Sequence, residues 1–133
     1  MNQVAELLAA HPQATPSEAL VRCIEECFAC VVACTSCVDA DLAEEDVEDL
    51  RNCIRLCLDC ADVCEATGQV LTRQTSPEPR LVRSVLEACL LACRLCAEEC
   101  ERHAAHHEHC SICAETCRRC EQACADLLAS FSA

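Results

Sequence analysis

The chain has no lysine, tryptophan or tyrosine, one glycine, one methionine and two phenylalanines, Phe28 and Phe131. Each shortage removes a class of function. With only two such aromatic side chains there is little to stack on a nucleobase or to line a large aromatic ligand pocket. Its ten basic residues are all arginine and face 23 acidic ones. The resulting net charge of −13 disfavours nucleic acid and anionic membrane surfaces as partners and suits a small cation. No apolar run is long enough to span a bilayer. The N-terminus, MNQVAELLAAHPQ, has no basic region and carries Glu6 inside its short apolar stretch, so it does not read as a secretory signal. The expectation is a soluble, cytosolic, single-domain protein over residues 1–133, in a compartment where thiols stay reduced and dense cysteine points to metal rather than disulfides.

What the chain has instead is cysteine, 18 of 133 residues. They recur at alternating steps of three and four in four blocks. The first holds Cys23, Cys27, Cys30, Cys34 and Cys37, and the second Cys53, Cys57, Cys60 and Cys64. The third holds Cys89, Cys93, Cys96 and Cys100, and the fourth Cys110, Cys113, Cys117, Cys120 and Cys124. That step is one face of an α-helix, so each block projects a single row of sulfur. Flanking apolar residues such as Ile24, Val31, Ile54, Leu58, Leu90 and Leu95 supply the hydrophobic contacts between helices.

The punctuation predicts a short helix over residues 2–10 and then four long ones. Thr15-Pro16-Ser17-Glu18 reads as a capping box opening a helix over about 16–40. Asp41-Leu42-Ala43-Glu44 reads as a second box, with a helix starting close behind it and running to about residue 73. Ser76 reads as the N-cap of a third long helix that holds Pro77 and Pro79 in its first turn and ends near His103. Residues 104–109 then form a turn before a last helix ending near Ser130. Short connections make neighbouring helices antiparallel. The expected fold is all-α: an up-down-up-down four-helix bundle over 16–130 with a cysteine-lined core, plus the short N-terminal helix.

Extending the rows shows what closes each end. One end is apolar, with Leu20, Thr67, Leu71, Val82, Leu86, Leu127 and Phe131. The other is polar, with Asp41, Asp46, His103 and His106. The sulfur core is therefore expected to have a plug at one end and a mouth at the other.

Cysteine serves as a small buried hydrophobe when there are one or two, but eighteen in register are there for their sulfur. Charge separates the metals. Eighteen thiolates shared by roughly four or five Zn²⁺ would leave about nine buried negative charges, whereas Cu(I) at about one ion per thiolate leaves the filled core close to neutral. Spacing points the same way, because side chains three or four apart on a helix lie ~5–6 Å apart and can clasp one low-coordinate ion. CxxC pairs such as Cys27–Cys30 and Cys93–Cys96 sit inside helices rather than on the turns that usually build zinc knuckles. A Zn(II) reservoir and an Fe–S redox carrier stay as alternatives, although the rows do not resolve into discrete quartets with cluster-like spacing. A ferritin-like enzyme would need Glu-x-x-His ligands in the core, and that motif is absent.

The four rows, Cys-Glu-Arg-His at 100–103, His-His-Glu-His-Cys at 106–110 and Cys-Ala-Glu-Thr-Cys-Arg-Arg-Cys at 113–120 resemble the bacterial copper storage proteins of the Csp family. The resemblance covers residues 16–130. It implies a four-helix bundle filled with many Cu(I) ions on inward-facing thiolates, often assembled as a homotetramer. Of the family's exported and cytosolic branches, the lack of a signal peptide and histidines in place of methionines near the mouth suit the cytosolic one.

Two loops carry further readings. His103, His106, His107 and His109 crowd the turn before the last helix, where they are either a solvated loop favourable to a helix dipole or imidazoles that pass Cu(I) to the first thiolates. His103 and then His106 are favoured as ligands, because they continue cysteine rows; His107 is also a candidate, and His109 is the least certain. Asp39, Asp41, Glu44, Glu45, Asp46, Glu48 and Asp49 crowd the neighbouring turn, either as a solvated helix start or as a field steering cations to the mouth.

Overall fold

Ser17 begins the first long helix. Its backbone is extended and its Oγ accepts the Leu20 amide at 3.1 Å, so the helix runs Glu18–Leu42. The capping box expected two residues earlier is not used: Thr15 and Pro16 stay outside the helix, and the hydroxyl closest to the free amides takes the cap. The computed structural model describes residues 3–131. It contains helices α1 (Gln3–Ala10), α2 (Glu18–Leu42), α3 (Arg51–Thr72), α4 (Pro79–His103) and α5 (Glu108–Ser130), with a 3₁₀ turn at Val47–Leu50. The protein is all-helical over these residues. The first residue of the expected N-terminal helix, residue 2, lies outside the described residues.

Three other boundaries differ from the sequence expectation. Helix α2 runs straight through the second capping box to Leu42, because Asp41 continues the cysteine row into the core and is buried there. The chain then takes a 3₁₀ turn that seats Leu50 with no exposed surface, and α3 starts at Arg51, later than that box implied. Glu78 rather than Ser76 takes the N-cap position of α4, with Pro79 at the first helical position and Pro77 outside. Finally, α5 begins at Glu108, so His109 belongs to its first turn rather than to the preceding loop.

Helix α2 packs against α3 and α5, and α4 packs against the same two. Each long helix thus has two neighbours around a common axis. Buried alanines, Ala61, Ala97, Ala114 and Ala123, let the backbones approach, while Ile24, Leu71 and Leu86 fill the core beyond the sulfurs. On the surface, Arg118 bridges α5 to Glu101 of α4 at 2.8 Å, and Arg94 of α4 reaches Glu121 at 2.9 Å. Pairs this exposed add at most about 1 kcal/mol each.

The one glycine marks a close approach. A Cβ on Gly68 of α3 would lie 2.7 and 2.8 Å from two ring atoms of Phe28 on α2. Gly68→Ala gains about 1 kcal/mol of helix propensity but overpacks this contact by about 2–3 kcal/mol. The expected result is a net loss of about 1–2 kcal/mol, read as a lower urea midpoint with an unchanged m-value; an equal or higher midpoint would place the ring elsewhere.

At the end expected to be plugged, Thr67, Leu71, Val82, Leu86 and Leu127 are buried as the row extension implied. Phe131 is not part of the plug: it is 43% exposed, and Arg83 stacks over its ring at 5.9 Å. With Leu20, Leu71 and Leu127 it lines an apolar cleft of about 440 Å³.

Candidate metal site

All eighteen cysteines are free thiols and buried, none more than 1% exposed. Their sulfurs meet in nine pairs that use every one. Between α2 and α5, Cys23 meets Cys124 at 3.8 Å, Cys27 meets Cys120 at 4.0 Å and Cys30 meets Cys117 at 3.6 Å. Cys34 meets Cys113 at 3.8 Å and Cys37 meets Cys110 at 4.0 Å. Between α3 and α4 the pairs are Cys53–Cys100 at 3.8 Å, Cys57–Cys96 at 3.5 Å, Cys60–Cys93 at 3.8 Å and Cys64–Cys89 at 3.7 Å. The axis is crossed by sulfur as well, in Cys27–Cys89, Cys34–Cys96 and Cys57–Cys113, each at 3.9 Å.

These contacts merge into quartets whose four sulfurs lie within 4.8 Å of one another. Among them are Cys27/Cys89/Cys120/Cys124, Cys30/Cys64/Cys93/Cys120, Cys30/Cys34/Cys60/Cys117, Cys34/Cys96/Cys113/Cys117 and Cys37/Cys53/Cys57/Cys100. Row spacing alone gave no sign of quartets. They arise because sulfurs from three or four helices converge on the axis, and four of these five share sulfurs with a neighbour, through Cys120, Cys30, Cys34 and Cys117; the fifth touches the rest through Cys57, 3.5 Å from Cys96 and 3.9 Å from Cys113. Tetrahedral convergence therefore does not by itself argue against zinc; the charge left behind does.

The thiols shift one another's acidity. S–H contacts, from Cys120 above all, hold Cys27 and Cys93 well above the usual thiol range, and Cys113 does the same for Cys34, with burial adding to each. Cys23 is lowered to about 5, chiefly by the Cys124 thiol. Filling such a core with a cation replaces S–H by S–metal contacts and releases protons.

The polar end is held by histidine–carboxylate pairs. His109 directs Nδ1 at Cys37 Sγ (3.5 Å) and Cys110 Sγ (3.7 Å), while its Nε2 meets Glu44 Oε2 at 2.8 Å. His107 is stacked on His109 with centroids 5.4 Å apart; its Nδ1 meets Glu44 at 3.0 Å and its Nε2 meets Asp46 at 3.0 Å. The Asp46 carboxylate beside that ring raises the His107 pKa. His103 turns its Nε2 to Glu99 Oε2 at 2.9 Å, and Glu99 is itself nearly buried and accepts from Asn52 at 3.0 Å. His106 is exposed in the turn.

The histidine beside the thiols is thus His109, the one ranked last from sequence. Among the described residues His109 is the histidine that bonds to sulfur, whereas His103 and His107 bond to carboxylates. The signal for His109 was its place next to Cys110, which acquires meaning only if α5 starts before it. Asp41 lies beneath, with no exposed surface, 3.7 Å from Cys110 Sγ and 4.0 Å from Cys37 Sγ. Burial pushes its carboxyl up to about 7. Of the acidic turn, Asp41, Glu44 and Asp46 face the mouth, while Asp39, Glu45, Glu48 and Asp49 are exposed.

A profile of the copper storage protein family, Csp, matches residues 16–129. The structure of the copper storage protein Ccsp from Streptomyces lividans, loaded with 10 copper equivalents, superimposes with a TM-score of 0.92. It is 52% identical, over 96% of this chain and 98% of that one. A structure of the cytosolic copper storage protein of the same organism carrying five coppers gives a TM-score of 0.83 at 57% identity, over 84% of this chain and 93% of that one. An uncharacterized cysteine-rich protein of Bacillus subtilis (strain 168), YhjQ, is 34% identical over 107 residues, which is 80% of this chain and 94% of that protein.

Proposed function

The chain belongs to the copper storage protein family, and on that premise we propose that it sequesters Cu(I), many ions per chain, on the inward-facing thiolates of its eighteen cysteines, without catalytic turnover. The observation that carries this reading is the continuous sulfur core, in which most quartets share sulfurs and the one nearest the polar end touches the rest through Cys57. A shared sulfur suits a soft monovalent ion that thiolates bridge, and one positive charge per thiolate leaves the buried core close to neutral. A zinc reservoir would bury two negative charges at each four-thiolate site, and an Fe–S carrier would use isolated quartets.

The reverse order of the sulfur pairs, Cys23 with Cys124 at one end and Cys37 with Cys110 at the other, supports an antiparallel up-down-up-down run of α2 to α5. The polar end is the mouth in this reading. His109 hands Cu(I) to Cys37 and Cys110, and Glu44, Asp46, His103, His106 and His107 form the outer rim. Likeness to the cytosolic Streptomyces lividans protein supports a cytosolic place of action. Exposed apolar side chains on the outer faces, Val32, Leu58, Leu91 and Ile112 among them, support assembly into a homotetramer.

Titration of the copper-free protein with Cu(I), against a chromophoric chelator as competitor, tests the storage reading. The expected endpoint is on the order of one ion per thiolate. Saturation at a handful of ions per chain would overturn it.

A further inference from the structure

The mouth contains a donor set that differs in kind from the core. Four atoms meet there: Cys37 Sγ, Cys110 Sγ, His109 Nδ1 and Asp41 Oδ1. The two sulfurs are 4.0 Å apart, and the imidazole nitrogen lies 3.5 Å from Cys37 and 3.7 Å from Cys110. The carboxylate oxygen lies 4.0 Å from Cys37, 3.7 Å from Cys110 and 3.6 Å from the nitrogen. These six distances are the edges of a nearly regular tetrahedron. A tetrahedral zinc ion, with ~2.3 Å to sulfur and ~2.0–2.1 Å to nitrogen and oxygen, calls for edges of roughly 3.3–3.8 Å. Shifts of a few tenths of an ångström reach that.

Three further observations bear on what such a tetrahedron holds. Asp41 is fully buried and its Oδ2 has no hydrogen-bond partner, so its ionised carboxylate is uncompensated there until a cation meets it. The Glu44 contact at His109 Nε2 fixes the ring so that the Nδ1 lone pair faces the sulfurs, the outer-partner arrangement common at imidazole–metal sites. His107 has both nitrogens engaged by Glu44 and Asp46, so it does not compete.

We propose that Cys37, Cys110, His109 and Asp41 form a site for one borderline divalent cation of the Zn²⁺ class in the copper-free protein. This cargo differs from the one proposed above, and the site stands whether or not the core fills with copper. Donor chemistry and charge select the ion. Imidazole and carboxylate suit Zn²⁺ better than soft Cu(I). Two thiolates, one carboxylate and a neutral imidazole leave −1 around a divalent ion but −2 around a monovalent one. A core quartet around the same divalent ion also leaves −2, and deeper in the bundle. Binding releases the two thiol protons as the two metal–sulfur bonds form, with no change of oxidation state.

Co²⁺ reports on this site directly. The copper-free full chain is titrated with Co²⁺ under anaerobic conditions, then with Zn²⁺ to displace it. The expected result is one Co²⁺ per chain, with the intense visible bands of tetrahedral cobalt and thiolate-to-cobalt charge transfer for two sulfurs. His109→Ala and Asp41→Asn should each weaken binding about tenfold or more, while Cys124→Ser, at the far end, leaves it unchanged. Charge-transfer intensity for four sulfurs, or indifference to His109→Ala, would overturn the proposal. Far-UV circular dichroism checks that the variants fold, and the partly exposed His109 keeps the test available if Asp41→Asn does not. A parallel Cu(I) titration separates the two readings: full copper capacity without the cobalt site sinks this proposal alone, and low copper capacity with it sinks only the storage reading.

Discussion

Replacing Cys34, Cys60, Cys96 and Cys117 by serine should cut the copper store in two. These four removed, no sulfur–sulfur contact of 4.0 Å or less remains between the mouth group (Cys37, Cys53, Cys57, Cys100, Cys110 and Cys113) and the far group (Cys23, Cys27, Cys30, Cys64, Cys89, Cys93, Cys120 and Cys124). If ions advance by exchange from thiolate to thiolate, the far group fills about tenfold more slowly or not at all, although its own quartet of Cys27, Cys89, Cys120 and Cys124 is intact. Serine keeps the shape, its hydroxyl can bond the carbonyl four residues back, and its oxygen is a poor ligand for a soft ion. The measurement is time-resolved transfer from a chromophoric Cu(I) chelator, with the final capacity counted separately. Filling of the far group at the original rate would mean that copper also arrives from the other end, past Leu20, Leu71 and Leu127 in the apolar cleft.

The second large effect is on stability. In the copper-free protein, sulfurs 3.5–4.0 Å apart touch without bonding, and the helices are held by ordinary packing. Copper turns those contacts into cross-links among α2, α3, α4 and α5. An unfolded chain with eighteen thiols also binds Cu(I), so only the preference for the preformed core counts. If each ion prefers it by ~0.5 kcal/mol, one ion per thiolate adds ~9 kcal/mol, as much as a typical domain's whole stability. At ~2–4 °C per kcal/mol for a chain of this size, the unfolding midpoint should rise by roughly 20–40 °C. Scanning calorimetry of the copper-free and loaded protein measures this. A shift of only a few degrees at full loading would place the ions outside the cross-linking positions.

Much of this architecture was legible in the sequence. The cysteine rows were, because helical periodicity is a local property and all eighteen sulfurs do turn inward. So were the end of α4 at His103 and of α5 at Ser130, and the burial of Leu71, Leu86 and Leu127 beyond the rows. The helix starts were less legible. Thr15, Asp41 and Ser76 each carry a capping signature, yet Ser17 took one cap, burial drew Asp41 into α2, and Glu78 replaced Ser76. A cap contributes about 1 kcal/mol, so packing of the residues around it decides among neighbouring candidates.

Within the mouth, ranking histidines by row extension favoured His103 and His106, whereas His109 is the one facing Cys37 and Cys110. Extending a row presumes that the helix continues at the same pitch. Here α5 instead begins at Glu108, and the 3₁₀ turn at Val47–Leu50 changes the approach of α3. Glu99 then takes His103, and Glu44 orients His109.

By itself the sequence determined that four helices would each present a row of thiols and that one end would be polar and the other apolar, since both follow from a period of 3.6 residues within one helix. The tertiary structure decided which sulfurs meet, that they form quartets most of which share sulfurs, and that two thiols, an imidazole and a buried carboxylate converge at the polar end. Those facts depend on how far one helix is rotated and shifted against another. A shift of one residue, ~1.5 Å along the axis, is enough to exchange one set of partners for the next.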